Sequence, residues 1–315
     1  MTHLIDPRFP RSLIARLKED MELDVTQARL PKNGMWKSTF LMRAGDFRFV
    51  LRVEPEPALK LRRATSAQER ASNLCLPVPK FLGQGFEPGD KPFMWTAEEF
   101  LEGDFYFPSS MEPALAQRAS RCLGEVLRNL HTLPVNGYGE LNPDCRAAEF
   151  SDWDDYLASK WRELLRAKDL VDVSAEREEI EEALHFLAKH PPPSAVLCHG
   201  DFADDNILLA ADGQVRAIID WNNCLACDPA YDLAYSFIWP QRIDCLHEMF
   251  RGYAPDHPEM FWLRIRAHRL LLAITFIVRN CDRANEEGKA FFIKMLRELN
   301  ASPENWSREC PRFPL

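Results

Sequence analysis

Apolar positions recur at helical spacing in several blocks and alternate in others, and the two patterns divide along the chain. Arg11 to Met21 carries Leu13, Ile14, Leu17 and Met21 on one stripe. Three alternating or β-rich segments follow, near Ala28–Leu30, Ser38–Arg43 and Phe47–Val53, with Pro31-Lys-Asn-Gly34 and Ala44-Gly-Asp46 as turns between them. A basic helical stretch over Ala58–Leu74 ends at Leu76-Pro-Val-Pro79, and two further strands flank Glu87-Pro-Gly-Asp90. From about Phe100 the period becomes helical. Helices are predicted over Pro113–Leu130, from Ser151-Asp-Trp-Asp154 to about Ala167, over Ser174–His190, over Glu259–Val278 and over Glu286–Leu299. The pattern predicts an α+β chain of two lobes, a small sheet-rich one over 1–100 and a large, mostly helical one over 101–315.

Composition narrows the classes. With 46% hydrophobic and 11% aromatic residues the chain buries a real core, so a disordered protein is excluded. The first ten residues hold charges and two prolines where an export signal needs an apolar run. The longest apolar run, Leu270–Val278, is too short to span a bilayer. The expectation is a cytoplasmic monomer with no membrane partner. Nine scattered cysteines read as reduced thiols, and Cys224-Leu-Ala-Cys227 lacks the second ligand pair that zinc needs.

The net charge of −9 argues against nucleic acid as a partner. Residues 1–100 hold 16 Lys/Arg against 13 Asp/Glu, and residues 101–315 hold 23 against 35, so the lobes carry +3 and −12. A cleft between them would be basic on one wall and acidic on the other. That split predicts a cationic acceptor.

One stretch carries chemistry. Val196-Leu-Cys-His199-Gly-Asp201 runs into a polar loop, Asn206 opens a strand, Asp212-Gly213 turns the chain, and Val215–Ile219 leads back to Asp220-Trp221. The hairpin brings Asn206 and Asp220 to one mouth with Asp201 beside them. Two hard oxygen ligands suit Mg²⁺, and a carboxylate at the mouth suits the proton of an attacking hydroxyl. His-x-Asp-x-x-x-x-Asn followed by a strand-borne Asp has the spacing and order of kinase catalytic and metal loops. The alternative is a polar hairpin without function. Downstream, Asp228 reads as a helix cap, Pro229 as the first helical position and Asp232 as a first-turn acid.

His199-Gly-Asp201…Asn206, Ile219-Asp220-Trp221 and Asp228-Pro-Ala-Tyr-Asp232 resemble the signature of the aminoglycoside phosphotransferase family. Phe49-Val-Leu-Arg-Val53, Leu76-Pro-Val-Pro79, Gly137-Tyr-Gly139 with Trp153, and Tyr235-Ser-Phe-Ile-Trp239 extend the resemblance over about residues 30 to 300. It implies a bilobal protein-kinase-like fold, ATP or GTP with Mg²⁺, Asp201 as base, Asn206 and Asp220 as metal ligands, and Asp228 steadying the catalytic loop. His199 joins the catalytic set as an orienting hydrogen-bonder. Asp204, Asp205, Asp232 and Trp221 fall on the acceptor side.

The small lobe departs from the kinase pattern. Gly34-Met-Trp-Lys37-Ser38 offers one glycine for a phosphate loop, and Arg52 stands where the kinase strand has lysine. A planar fork still holds phosphate oxygens, with Lys37 the rival. Glu69 is the only acid on the basic helix available to partner that cation. Glu98-Glu99-Phe100 is the expected hinge that receives the nucleotide base. The expected activity is transfer of a γ-phosphate to a hydroxyl of a small cationic molecule, an aminoglycoside-type antibiotic in the first instance. A metabolic hydroxyl compound is the alternative acceptor, and a dead nucleotide-binding module the alternative class.

Overall fold

The computed structural model describes residues 4–31, 38–239 and 243–300. Strands β1 (Leu4–Ile5), β2 (Gln27–Arg29), β3 (Thr39–Ala44), β4 (Phe47–Pro55), β5 (Phe81–Glu87) and β6 (Phe93–Glu99) form one sheet in the order β1-β2-β3-β4-β6-β5. All neighbours are antiparallel except β1 on β2, a parallel edge that the two-residue length of β1 hid from the sequence. Alternation decides the faces. Phe49 and Leu51 of β4 are buried with Phe40, Trp95 and helix α1 (Ser12–Met21), which presents Leu13 and Leu17. Val50 and Arg52 therefore point to the other face. Helix α2 (Leu59–Asn73) crosses behind that face and places Gln68 toward it.

The rest of the chain is built on helices. These are α3 (Pro113–Leu130), α4 (Trp153–Leu170), α5 (Arg177–Lys189), α6 (Ala230–Ile238), α7 (Ile243–Tyr253), α8 (Pro258–Asp282) and α9 (Glu286–Asn300). Their starts are capped locally: Glu112 accepts the N–H of Ala114 and Leu115 before Pro113, and Asp152 rather than Ser151 caps α4 through the N–H of Asp155. Helix α8 lies at the centre, against α4, α5, α6 and α9. No described helix is long and apolar enough to cross a membrane.

Among the described residues, seven short strands lie among the helices: β7 (Asp104–Phe105), β8 (Tyr138–Leu141), β9 (Ala148–Phe150), β10 (Val196–Cys198), β11 (Ile207–Leu209), β12 (Val215–Ile218) and β13 (Leu225–Cys227). They make two small sheets, β10-β13-β8-β9 and β12-β11-β7. The second is the hairpin expected from Asp212-Gly213, with Gly213 at φ +83° and Ile207 opposite Ile218. This register faces Asn206 with Ile219, whose N–H donates to the Asn206 carbonyl at 2.9 Å.

Candidate active site

Strand β10 ends at His199, and the chain then turns sharply through Gly200 at φ +79°. The turn needs glycine twice over: φ is left-handed, and a Cβ there would collide with the Asn223 carbonyl. Asp232 fixes the turn from beneath. Its carboxylate accepts the N–H of His199 at 2.8 Å and of Gly200 at 2.9 Å, and His131 Nε2 lies 3.1 Å away. Asp232 is fully buried, so it does not face the acceptor as its charge suggested. It is a brace for the loop.

His199 is also fully buried. The Asp201 N–H donates to its Nδ1 at 3.3 Å, so Nε2 carries the proton and donates to the Ile219 carbonyl at 3.0 Å. The imidazole thus ties the loop to the end of the hairpin and orients Asp201 without reaching solvent. Trp221 packs edge-on against it at 4.8 Å between ring centroids and is 1% exposed. The indole of Trp221 is therefore core and not the acceptor contact its place in the sequence suggests.

Asp201 opens into a cavity of about 850 Å³ between the lobes. Its Oδ2 accepts from Asn223 Nδ2 at 2.8 Å, and its backbone carbonyl accepts from Asn206 Nδ2 at 2.9 Å. With its amide nitrogen so used, Asn206 has its carbonyl oxygen left as a ligand atom. Asp220 lies across from it in the left-handed region, φ 63° and ψ 64°, conformations that cost a non-glycine residue about 1–2 kcal/mol. Asn222 Nδ2 donates to its Oδ1 at 2.7 Å. These oxygens suit a hard divalent cation. So does the crowding around them: burial, then the charges of Asp201 and Asp220, push the Asp205 carboxyl up.

Arg52 reaches this group from β4. Its Nε lies 3.1 Å from Glu98 and its Nη1 3.4 Å from Asp220. Burial alone would lower its pKa, but the charges of Glu98 and Asp220 raise it. Glu98 is in turn held by Gln68 Nε2 at 3.2 Å. The partner of the strand cation is thus Glu98 on the neighbouring strand. Glu69, the acid available on α2, faces a separate groove beside Gln68. Glu98 is consumed by this pair, Glu99 closes β6 with its N–H on the Lys80 carbonyl at 2.8 Å, and the Phe100 ring lies 4.3 Å beneath Arg48. Neither Glu99 nor Phe100 lines the cavity that holds Asp201. Ser38 does, at its small-lobe wall, while Lys37 falls outside the described residues.

The cavity holds a mixture of charge. Asp204 and Asp205 line it, and burial, then Asp205, pushes the Asp204 carboxyl up to about 7. Lys60, Arg279 and Arg283 also line the cavity, as do Trp239 and Phe107. Among the described residues, four basic side chains, counting Arg52, so stand against four acidic ones, counting Glu54 and Asp201. The lobe's surplus of acid lies elsewhere.

Asp228 is fully buried at the head of α6. Its Oδ1 accepts the Ala230 N–H at 2.9 Å, while Oδ2 sits 3.4 Å from His268 and 3.6 Å from Arg264. Burial would raise this carboxyl, but His268 and Arg264 hold it below its ordinary value. It anchors α6 to α8.

With this geometry fixed, the model of the phosphotransferase enzyme family matches residues 28–263. The chain belongs to that family. Hygromycin-B 4-O-kinase of Escherichia coli is 22% identical over 192 residues, 58% of this chain and 54% of the relative. Acyl-CoA dehydrogenase family member 10 of Mus musculus is 24% identical over 218 residues, 65% of this chain but 19% of the relative. The matches therefore span about half of the first relative and a fifth of the second. Among solved structures, a thermostable mutant of aminoglycoside phosphotransferase APH(4)-Ia in ternary complex with ADP and hygromycin B superposes with a TM-score of 0.74. It is 21% identical and covers 93% of this chain and 98% of its own. The GDP and kanamycin complex of APH(2")-IIIa gives 0.68 at 13% identity, covering 93% and 98%. The fold of a small antiparallel sheet followed by a helical lobe is the fold of these enzymes.

Proposed function

We propose that the protein transfers the γ-phosphate of ATP or GTP to a hydroxyl of a small molecule. The observation that carries this reading is the clustering of four side chains: Asp201 and Arg52 line the interlobe cavity, Asn206 is bonded to the Asp201 carbonyl at 2.9 Å, and Asp220 lies 3.4 Å from Arg52. Asp201, fixed by Asn223 and by the His199 tether, accepts the hydroxyl proton as the new O–P bond forms and the bond to the β-phosphate oxygen breaks, leaving the nucleoside diphosphate. Asn206 and Asp220 hold Mg²⁺, which neutralises phosphate charge when bound. Arg52 meets phosphate oxygens with its planar fork once it releases Asp220. Ser38 lines the small-lobe wall of the cavity, and Lys37 precedes it in sequence, which suits the pair to a phosphate loop. Glu99 ends β6 and Phe100 follows it, where the base would dock on backbone.

The relatives make an aminoglycoside-type antibiotic the first acceptor to try, and Asp204 and Asp205 suit its amines. A metabolic hydroxyl compound is favoured by a different observation: Arg279 and Arg283 in the same cavity repel a polycation. The intact set of Asp201, Asn206 and Asp220 opposes a dead binding module. The test is mass spectrometry of pooled hydroxyl compounds incubated with the protein, Mg²⁺ and ATP or GTP. A phosphorylated acceptor appearing in step with nucleoside diphosphate supports the reading. Nucleotide turnover that releases only inorganic phosphate, across antibiotic and metabolite pools alike, contradicts it.

A further inference from the structure

Arg279 and Arg283 stand one turn apart at the end of α8, and both turn into the cavity that holds Asp201. The i, i+4 spacing puts them on one helix face. Both are exposed, and no carboxylate of the described residues pairs with either, although Asp282 between them is taken by Arg166. Arg279 approaches the cavity from the end of α8 in the large lobe, whereas Arg52 enters it from strand β4 of the sheet. The bland role for such residues is to complement the negative end of the α8 dipole. It does not explain why both heads line an interlobe cavity with the apolar ring of Trp239 beside them.

We propose that Arg279 and Arg283 form an anion subsite for the acceptor, so that the phosphorylated molecule carries a carboxylate or a phosphate at one end and its hydroxyl at Asp201. Two adjacent guanidinium forks match either planar or tetrahedral oxyanions. The proximity of Asp204 and Asp205 leaves room for an amine on the same molecule, which makes a zwitterion the best fit and a polycation a poor one. The inference deepens the phosphotransferase reading and rests on it.

Two arms test it. In the first, inorganic sulfate is titrated into the parent and the Arg279→Gln/Arg283→Gln double variant, each saturated with Mg·AMP-PNP so that Arg52 is covered, and melting temperature is followed. Sulfate should stabilise the parent, with an apparent affinity about tenfold or more weaker in the variant. Equal stabilisation of both, or none in the parent, overturns the subsite. A dipole role alone would lower the variant's melting temperature at every sulfate concentration without changing the sulfate dependence. In the second arm, γ-phosphate transfer is compared for gluconate, glycerol 3-phosphate, glucosamine and hygromycin B, which separates carboxylate, phosphate and amine acceptors. Transfer to an anionic acceptor, with a KM raised about tenfold or more in the double variant and nucleotide KM unchanged, supports it. Transfer confined to the amines, at equal KM in parent and variant, overturns it. Failure of the phosphotransferase reading shows separately, as absence of transfer to any acceptor, and the sulfate titration still reads the arginines.

Discussion

Arg52 and Asp220 face each other across the cleft, guanidinium to carboxylate at 3.4 Å, and link strand β4 of the small lobe to the end of the hairpin in the large one. Both residues are expected to bind the nucleotide complex, one through phosphate and one through metal. Binding must therefore exchange this pair for two new ones. Arg52→Ala should raise nucleotide KM about tenfold or more and leave acceptor KM nearly unchanged. Arg52→Lys should restore part of the loss, because a point charge replaces a fork. Steady-state kinetics with varied nucleotide decide it, and a parent-like KM in Arg52→Ala moves the role elsewhere.

Asp220→Ala should act through the metal. Magnesium-dependent tightening of AMP-PNP, measured by calorimetry, should largely vanish, while the hairpin keeps its fold. Alanine keeps the Cβ that makes this left-handed position costly, so no relief of strain offsets the lost contacts to Arg52 and Asn222. A variant with the parent's magnesium dependence would remove Asp220 from the metal site.

Asp232→Ala tests burial against charge. The substitution strands the N–H groups of His199 and Gly200, each at a cost of about 1–3 kcal/mol. Denaturant midpoints should fall accordingly. Asp232→Asn, which keeps one acceptor oxygen, should lose less. Full stability together with a raised acceptor KM would return Asp232 to the acceptor side.

The hairpin was legible because its information is local. Asp212-Gly213 sets the turn, the turn sets the register, and the register brings Asn206 to Asp220. What the sequence hid depends on distance or burial. Glu98 partners Arg52 through pairing of β4 with β6, a register no local pattern states, so the acid on α2 was the natural but wrong candidate. Asp232 and Trp221 read as polar and aromatic groups near a motif, and only packing reveals that they lie under the loop. Strands β8, β9 and β13, of three or four residues, are too short to show a period. The −12 of the large lobe was misleading about the cleft: Arg279 and Arg283 fold into it, whereas acids such as Glu179 are taken up by cations such as Arg266 outside it.

Asn223 is the contact at Asp201 that sequence reasoning missed. Its amide holds Oδ2 at 2.8 Å, which fixes the carboxylate rotamer. Asn223→Ala should lower kcat about tenfold to a hundredfold with little change in nucleotide KM, since one hydrogen bond to a charged group is lost. Unchanged kcat would show that the His199 tether is sufficient.

In the proposed reaction Asp201 takes the proton of the attacking hydroxyl. Its most direct test is single-turnover transfer from Mg·ATP or Mg·GTP to a confirmed acceptor, comparing the parent with Asp201→Ala after both are shown folded by circular dichroism and bound to AMP-PNP. The transfer rate should fall about a hundredfold or more with nucleotide affinity nearly unchanged. A folded, nucleotide-binding Asp201→Ala protein that transfers phosphate at the parent's rate would contradict it.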